Sequence, residues 1–202
     1  MFAHHGEITL GSHIIEDTVV TYILSKKYLN KNQTYNYNLN AAVKISMLHN
    51  LYTVHWQNNP NAKTNSFLHK HSYRHPIESV INANSWYPNI FDNEDEAKIL
   101  IDGIVHHMFP APVISFNDTL ENQTELKNFE LVGKLNNDVK QILVKSSNRN
   151  KIGSLSFSKS IYPEGIIMSN ADKKVSFSQF KDIDSVVALV TGYNKKLQRK
   201  NR

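Results

Sequence analysis

Apolar side chains recur at helical spacing through most of the first 151 residues. Residues three or four apart share one face of a helix, so each run indicates a helix with one buried face. The runs predict helices over Gly11–Leu29, Leu39–Tyr52, a short segment opened by His75-Pro76, Asp92 to Met108, and Lys134–Lys151. The polar stretch from 57 to 71 is too long for an ordinary connection.

The same spacing predicts which side chains face the core, and Asn40 as the cap of the second helix. The inward side chains are Ile15, Val19, Tyr22 and Ile23 in the first helix, Leu39, Val43 and Met47 in the second, Ile77, Val80 and Ile81 in the third, and Ala97, Leu100, Ile101, Ile104 and Met108 in the fourth.

After Ile152 the pattern changes. Residues 154–158 and 174–177 alternate like short strands, Pro163-Glu164-Gly165 is typical of a turn, and Ile183 to Leu197 indicates a closing helix. The predicted fold is therefore mostly α: a helical bundle over residues 1–151, with a small mixed C-terminal extension over 152–202 packed on it.

Composition narrows the class of protein. The chain has 202 residues, 40% of them hydrophobic, and no cysteine, which excludes disulfides, thiolate–zinc sites and cysteine nucleophiles. No apolar run approaches the roughly 18 to 20 residues of a membrane helix, and the first residues do not resemble a secretory signal. We expect a cytoplasmic protein with no membrane contact.

The distribution of charged and aromatic residues indicates whether the chain could bind nucleic acid. From Met108 onward there are 15 Lys and Arg against 9 Asp and Glu, and the end of the chain, 195–202, is strongly basic. Such a tail suggests polyanion binding, although cations are also favoured at an ordinary helix end. Nucleic acid is disfavoured because Trp56, Trp86 and the tyrosines do not alternate with these cations. Phosphate-loop, nucleophile-elbow and zinc-protease motifs are absent.

All ten histidines lie within the first 107 residues, and several fall at predicted helix ends. These are His13, His49, His75, His106 and His107. A bundle interior is where metal sites are built from facing helices, and imidazole is a common metal ligand. A single histidine at a helix end is more often a cap or a core residue, so the set carries the hypothesis.

The order of these segments resembles the HD-domain superfamily of metal-dependent phosphohydrolases, in particular small bacterial HD-domain proteins. The resemblance covers roughly residues 4 to 150. The segments that carry it are His5-Gly6 with His13, Leu48-His49-Asn50, His71-Ser72-Tyr73-Arg74-His75-Pro76 and His106-His107-Met108-Phe109-Pro110.

The resemblance implies a metal-centred phosphohydrolase site. Its first metal would be held at His13, His49, Asn50 and Asn148, and a second at His75, His106 and His107, with His71 a weaker candidate. Lys70, Arg74 and Arg149 would offer positive charge to a nucleotide or another small phosphate ester.

Two positions where the family has aspartate are Asn50 and Asn148. An amide brings no negative charge to a cation, so we expect hard cations such as Mg²⁺ to bind poorly, with Ni, Zn, Fe or Mn on the imidazoles, or no metal at all. Hydrolysis is then expected to be impaired or lost, with both asparagines at the catalytic positions. The alternatives are a non-catalytic nucleotide-, metal- or partner-binding protein and polyanion binding through the basic C-terminal region. A homodimer is left open.

Overall fold

The computed structural model describes residues 9–32, 36–51, 65–121 and 129–176. Its helices are α1 Thr9–Lys31, α2 Leu39–Leu48, α3 Asn65–Trp86, α4 Glu94–Val105, α5 Phe116–Glu121, α6 Phe129–Val132, α7 Asn137–Ser147 and α8 Pro163–Ser176, and its strands are β1 Val113–Ile114, β2 Lys151–Ile152 and β3 Leu155–Ser156. The predicted mostly α class with a small mixed portion is confirmed. None of the described helices is long and apolar enough to cross a membrane.

Asparagine side chains begin three of these helices. Asn38 accepts a hydrogen bond from the N–H of Ala41 at 3.0 Å, and Asn93 does the same for Glu96 at 2.9 Å. Asn136 caps α7 in this way as well. An N-cap oxygen satisfies one of the backbone donors that the first turn of a helix leaves unpaired. The predicted cap, Asn40, is wrong by two residues.

Two predictions made from proline were wrong. Pro76 lies inside α3, which begins at Asn65 and takes in part of the polar stretch that we expected to be a connection. Pro163 opens α8 where a turn was predicted, and at a first helical position its missing N–H costs no hydrogen bond. The strand predicted over 174–177 is helical as far as Ser176, and the predicted closing helix lies outside the described residues.

The apolar core forms around α4, which packs against α2, α3, α7 and α8. The inward faces predicted for α3 and α4 are confirmed, except that Met108 lies beyond the end of α4 and is half-buried. The residues of these two helices that were predicted to face the core and are buried are Ile77, Val80, Ile81, Ala97, Leu100, Ile101 and Ile104.

The inward face predicted for α2 was wrong. Met47 is 52% exposed, whereas Ala41, Ile45 and Leu48 are buried. The helix presents this second stripe to α4 and α8, which lie on that side. Both stripes have helical spacing, and only the packing partners distinguish them.

Helix α1 buries its polar side rather than its apolar side. Ile15 and Tyr22, predicted to face inward, are 48% and 46% exposed. The face that packs against α2 and α8 instead carries buried His13, Asp17, Thr21 and Ser25, spaced by four residues. Burying polar groups costs free energy unless they are paired or bind something. This face therefore marks a site.

The small sheet joins chain segments on either side of the predicted boundary at residue 151. Its strand order is β1-β3-β2, with both pairs antiparallel. Gly153 turns the β2–β3 hairpin at φ +60, a conformation that two-residue hairpin loops require and glycine adopts freely. Beyond the sheet, α8 packs against α1, α2 and α4. The division at 151 itself stays a prediction.

A glycine pair lets α8 approach α4 closely. A Cβ built on Gly165 would lie 2.7 Å from the Cα of Gly103 and would also strike Ser160. Because the obstructing atom of Gly103 is backbone, it cannot rotate away. The position of α8, and of every side chain that it carries toward α1, depends on this contact.

We predict that Gly165→Ala destabilises the protein by about 1–3 kcal/mol, the usual cost of overpacking, although alanine ordinarily favours a helix. The matched control is Asn170→Ala, at an exposed position of the same helix. Thermal unfolding followed by circular dichroism measures both. If Gly165→Ala melts at the same temperature as the wild type, or at a higher one, the packing of α8 on α4 does not need the glycine contact.

Candidate metal centre

Four side chains from three helical segments meet in the interior. His13 and Asp17 come from α1, His49 follows the last residue of α2, and Asp172 comes from α8. One ligand atom from each lies within 4.8 Å of all the others. We call these four residues the His/Asp cluster.

The closest contacts in the cluster are between imidazole nitrogens and carboxylate oxygens. His13 Nε2 lies 3.0 Å from Asp17 Oδ2 and 3.3 Å from Asp172 Oδ1. His49 Nε2 lies 3.4 Å and 3.9 Å from the same two oxygens. Each imidazole therefore faces both acids, and the four atoms surround one small volume.

Local structure explains why these side chains converge. His13 and Asp17 are four residues apart, so they lie on one face of α1. His49 is the C-cap of α2, where its N–H donates to Ile45 O and its own carbonyl accepts from Ser79 Oγ at 2.7 Å. These bonds fix the backbone at the point where the imidazole enters the cluster.

The ring of His49 is held in one orientation. Its Nδ1 lies 2.8 Å from the carbonyl oxygen of Ser46, an acceptor only, so Nδ1 carries the proton. The lone pair of Nε2 then points into the cluster, where it accepts from Asn50 Nδ2 at 2.8 Å. A backbone acceptor at the far nitrogen is the usual partner of a metal-binding histidine.

Burial and charge act on the carboxylates in opposite directions. Asp17 is fully buried, and this burial raises its pKa against the lowering effect of nearby His49. Burial also acts to raise the pKa of Asp172, but the adjacent imidazoles of His13 and His49 hold that pKa well below the ordinary value. Burial acts to lower the pKa of His49, yet the nearby carboxylates of Asp17 and Asp172 raise it overall.

The donor set fits a divalent cation. Two imidazole nitrogens and two carboxylate oxygens suit Zn, Fe, Mn or Ni, and two carboxylates balance a charge of +2. Within the described residues, neither oxygen of Asp17 accepts a well-formed hydrogen bond, although both are buried. A buried acceptor in that state requires an explanation, and a bound cation provides one.

A second imidazole pair adjoins the cluster. The rings of His49 and His107 have centroids 4.8 Å apart, and His75 Nε2 lies 3.0 Å from His107 Nε2. His107 Nδ1 donates to Ile104 O at 2.7 Å, so its Nε2 accepts from His75. Burial, together with the charges of His49 and His75, holds the pKa of His107 well below its ordinary value.

His106 lies in a different environment from its neighbour. Its Nε2 lies 3.1 Å from the carbonyl of Ser146, beside a buried polar group in which Asp102 accepts from Ser146 Oγ and Ser160 Oγ. The two residues follow the end of α4, where His106 has a non-helical backbone, and of the pair it is His107 that contacts His49 and His75. The expected grouping of His106 with the other four histidines was wrong.

Asn148, expected at the distal metal position, is not a member of the His/Asp cluster, whereas Asp172 is. Asn148 is the C-cap of α7, and the next residue, Arg149, pairs through Nη2 with Asp102. Both motif positions are amides, and the catalytic roles expected of Asn50 and Asn148 stay predictions. Asn50 does lie in the cluster, but Asp17 and Asp172 supply two carboxylates.

The remaining predicted residues are placed as follows. Arg74 is buried beside His75 in the chain. Arg149 ties the α7–β2 connection to α4 through its ion pair with Asp102, and its contact with a substrate stays a prediction. Lys70 and His71 lie in α3, but their side chains are outside the described part of the chain, as is all of His5-Gly6.

Sequence reasoning missed both acids. A signal for Asp17 was present, because His13 and Asp17 have the four-residue spacing of one helix face. The apolar residues of the same helix predicted that the opposite face was buried, so the spacing of His13 and Asp17 was overlooked. No comparable signal marks Asp172, since its segment was predicted to lie between a turn and a strand.

Comparisons with known proteins do not assign this chain to a family. A scan against protein-family models, a search of curated proteins and a search of solved structures each found no match to this chain. The fold and the cluster define a mostly helical protein with a buried His/Asp site.

His106 gives a pH-dependent prediction that does not involve the cluster. Burial first, and the charge of Arg149 second, lower its pKa from 6.5 to about 4, against the raising effect of Asp102. Between pH 6.5 and about pH 4, His106 is protonated in the unfolded chain but not in the folded chain. The free energy of unfolding therefore falls as the pH falls through this range. Between pH 7 and pH 5 this site should contribute a loss of about 2 kcal/mol.

Urea unfolding of the wild type and of His106→Gln at both pH values measures this loss. The variant should lose less stability between pH 7 and pH 5 than the wild type, because glutamine does not titrate. Equal losses in the two proteins would mean that His106 keeps an ordinary pKa.

Proposed function

We propose that this protein is a divalent-metal-dependent phosphohydrolase of HD type, acting on a nucleotide or another small phosphate ester. The single observation that carries the proposal is the convergence of His13, Asp17, His49 and Asp172. The resemblance in the order of the histidine segments supplies the reaction class, and the cluster supplies a place for the metal.

The two carboxylates favour retained hydrolysis over a degenerate site. With both acids replaced by amides, as the sequence suggested, a cation would meet only neutral ligands. Asp17 and Asp172 instead give the cluster two formal negative charges, enough to balance a divalent ion. Lost activity was expected because Asn50 and Asn148 bring no charge to a cation. Asp17 and Asp172 bring that charge instead, so the expectation of lost activity no longer follows.

A bound divalent ion lowers the pKa of a coordinated water, so that hydroxide becomes available near neutral pH. The residues of the chain would hold and orient that centre. His49, fixed by Ser46, presents Nε2, and the acids provide charge. Water has limited access, since the side chain of Asp172 is 16% exposed and that of His13 is 9% exposed.

Two cations that are adjacent in sequence to residues of the site are our candidates for binding a substrate phosphate. Lys173 follows Asp172 and is half-buried, with its Nζ 5.8 Å from the ring centre of Phe109. Arg74 precedes His75 and is buried. Phosphate carries negative charge that Lys and Arg neutralise, Arg with two parallel hydrogen bonds.

The test is metal binding together with a phosphatase screen. Purified protein, stripped with a chelator, is titrated with Mn²⁺, Fe²⁺, Zn²⁺, Ni²⁺, Co²⁺ and Mg²⁺, and then assayed with an aryl phosphate ester and a panel of nucleotides. We expect at least one ion per chain, and hydrolysis that depends on it. His49→Gln removes a proposed ligand and should reduce metal affinity by about 100-fold. Changing a residue that only supports a ligand typically costs about 10- to 100-fold.

The matched control is His106→Gln, which alters a buried histidine outside the cluster and should keep both metal and activity. Metal binding without turnover in the wild type would favour a non-catalytic binding protein, a reading that the amide of Asn50 beside His49 supports. No metal binding by the wild type would refute the proposal.

A further inference from the structure

Two side chains of different charge meet the same imidazole nitrogen. Asn50 Nδ2 lies 2.8 Å from His49 Nε2, and Asp17 Oδ2 lies 3.4 Å from that atom. All three residues are buried. The carboxylate comes from α1 and the amide from the end of α2, so one corner of the cluster is formed by two helices.

Charge limits what this corner can hold. Asp17 and Asp172 already place two carboxylates within reach of His13 and His49. A third carboxylate at position 50 would adjoin them in a buried site, and a divalent ion cannot balance three negative charges. Asparagine fills the position without adding charge, and in the metal-free protein its NH2 group donates to the Nε2 lone pair that a bound cation would occupy instead.

We propose that Asp17 and Asn50 are a compensating pair, in which Asp17 supplies from α1 the carboxylate that the metal centre needs at this corner. Asn50 is a specificity-determining residue that keeps the centre at two negative charges. This inference rests on the proposed metal site, and it goes further by assigning the charge to one residue and the required neutrality to another.

If the two residues compensate for each other, metal affinity depends on how many carboxylates lie at this corner. It does not depend on which helix carries them. Moving the carboxylate from position 17 to position 50 should therefore preserve binding. Removing it should weaken binding strongly, and doubling it should make the metal-free protein less stable while favouring hard cations such as Mg²⁺.

A double-mutant cycle tests this. The four proteins are the wild type, Asp17→Asn, Asn50→Asp and the double variant, and the dissociation constants for Zn²⁺ and Mn²⁺ are measured by calorimetry with chelator competition. We expect Asp17→Asn to weaken binding by about 100-fold, and the double variant to return to within about 10-fold of the wild type.

Thermal unfolding of the same proteins without metal gives a second readout. Asn50→Asp should lower the melting temperature in the wild-type background, because it adds a third carboxylate. In the Asp17→Asn background it should not lower the melting temperature, because the number of carboxylates returns to two. If Asp17→Asn alone does not fold, the double variant should still fold and bind metal, since its carboxylate is restored.

Additive effects would overturn the inference: Asp17→Asn would then cost the same in both backgrounds. So would a double variant that folds but does not bind metal. Wild-type protein that binds no ion would instead refute the proposed function itself, and the two failures are distinguished by the wild-type titration alone.

Discussion

The structure depends on placing two carboxylates and two imidazoles together away from water. Asp17 and His49 are fully buried, and such groups are tolerated only when charges are paired or bind a cation. In the metal-free protein the nearby carboxylates of Asp17 and Asp172 raise the pKa of His49 against the effect of burial, which reflects the same need to pair charge. The polar inner face of α1 is explained by the same requirement. It exists to build this site, while apolar Ile15 and Tyr22 are left outside.

Much of the architecture could be predicted where one side of a helix is clearly apolar. The stripe through Leu100 and Ile104 in α4 is such a case, because it begins directly after a first turn of three acidic residues. The prediction failed where two faces competed, as at Met47 in α2, since periodicity identifies a helix but not its partners. It failed at Pro76, which was expected to begin a helix and lies inside one, and at Pro163, which was expected in a turn and begins a helix. Proline is compatible with all three positions, and tertiary packing decides among them.

The candidate site was predictable in part for a related reason. His13, His49, His75 and His107 could be grouped because histidines at helix ends are conspicuous in the sequence. Aspartate is common on ordinary surfaces, so Asp172 attracts no notice until the Gly103–Gly165 contact brings α8 against α1 and α4. The site is thus assembled by a helix crossing that no local pattern encodes.

The most direct test of this account is a crystal structure of the protein soaked or grown with Zn²⁺ or Mn²⁺, with the ion located by its anomalous scattering. The account predicts one ion bound by His13 Nε2, His49 Nε2, Asp17 and Asp172, with ligand distances of about 2.0–2.2 Å for zinc. An ion bound only at other residues, or a cluster that stays without an ion at saturating metal, would contradict it.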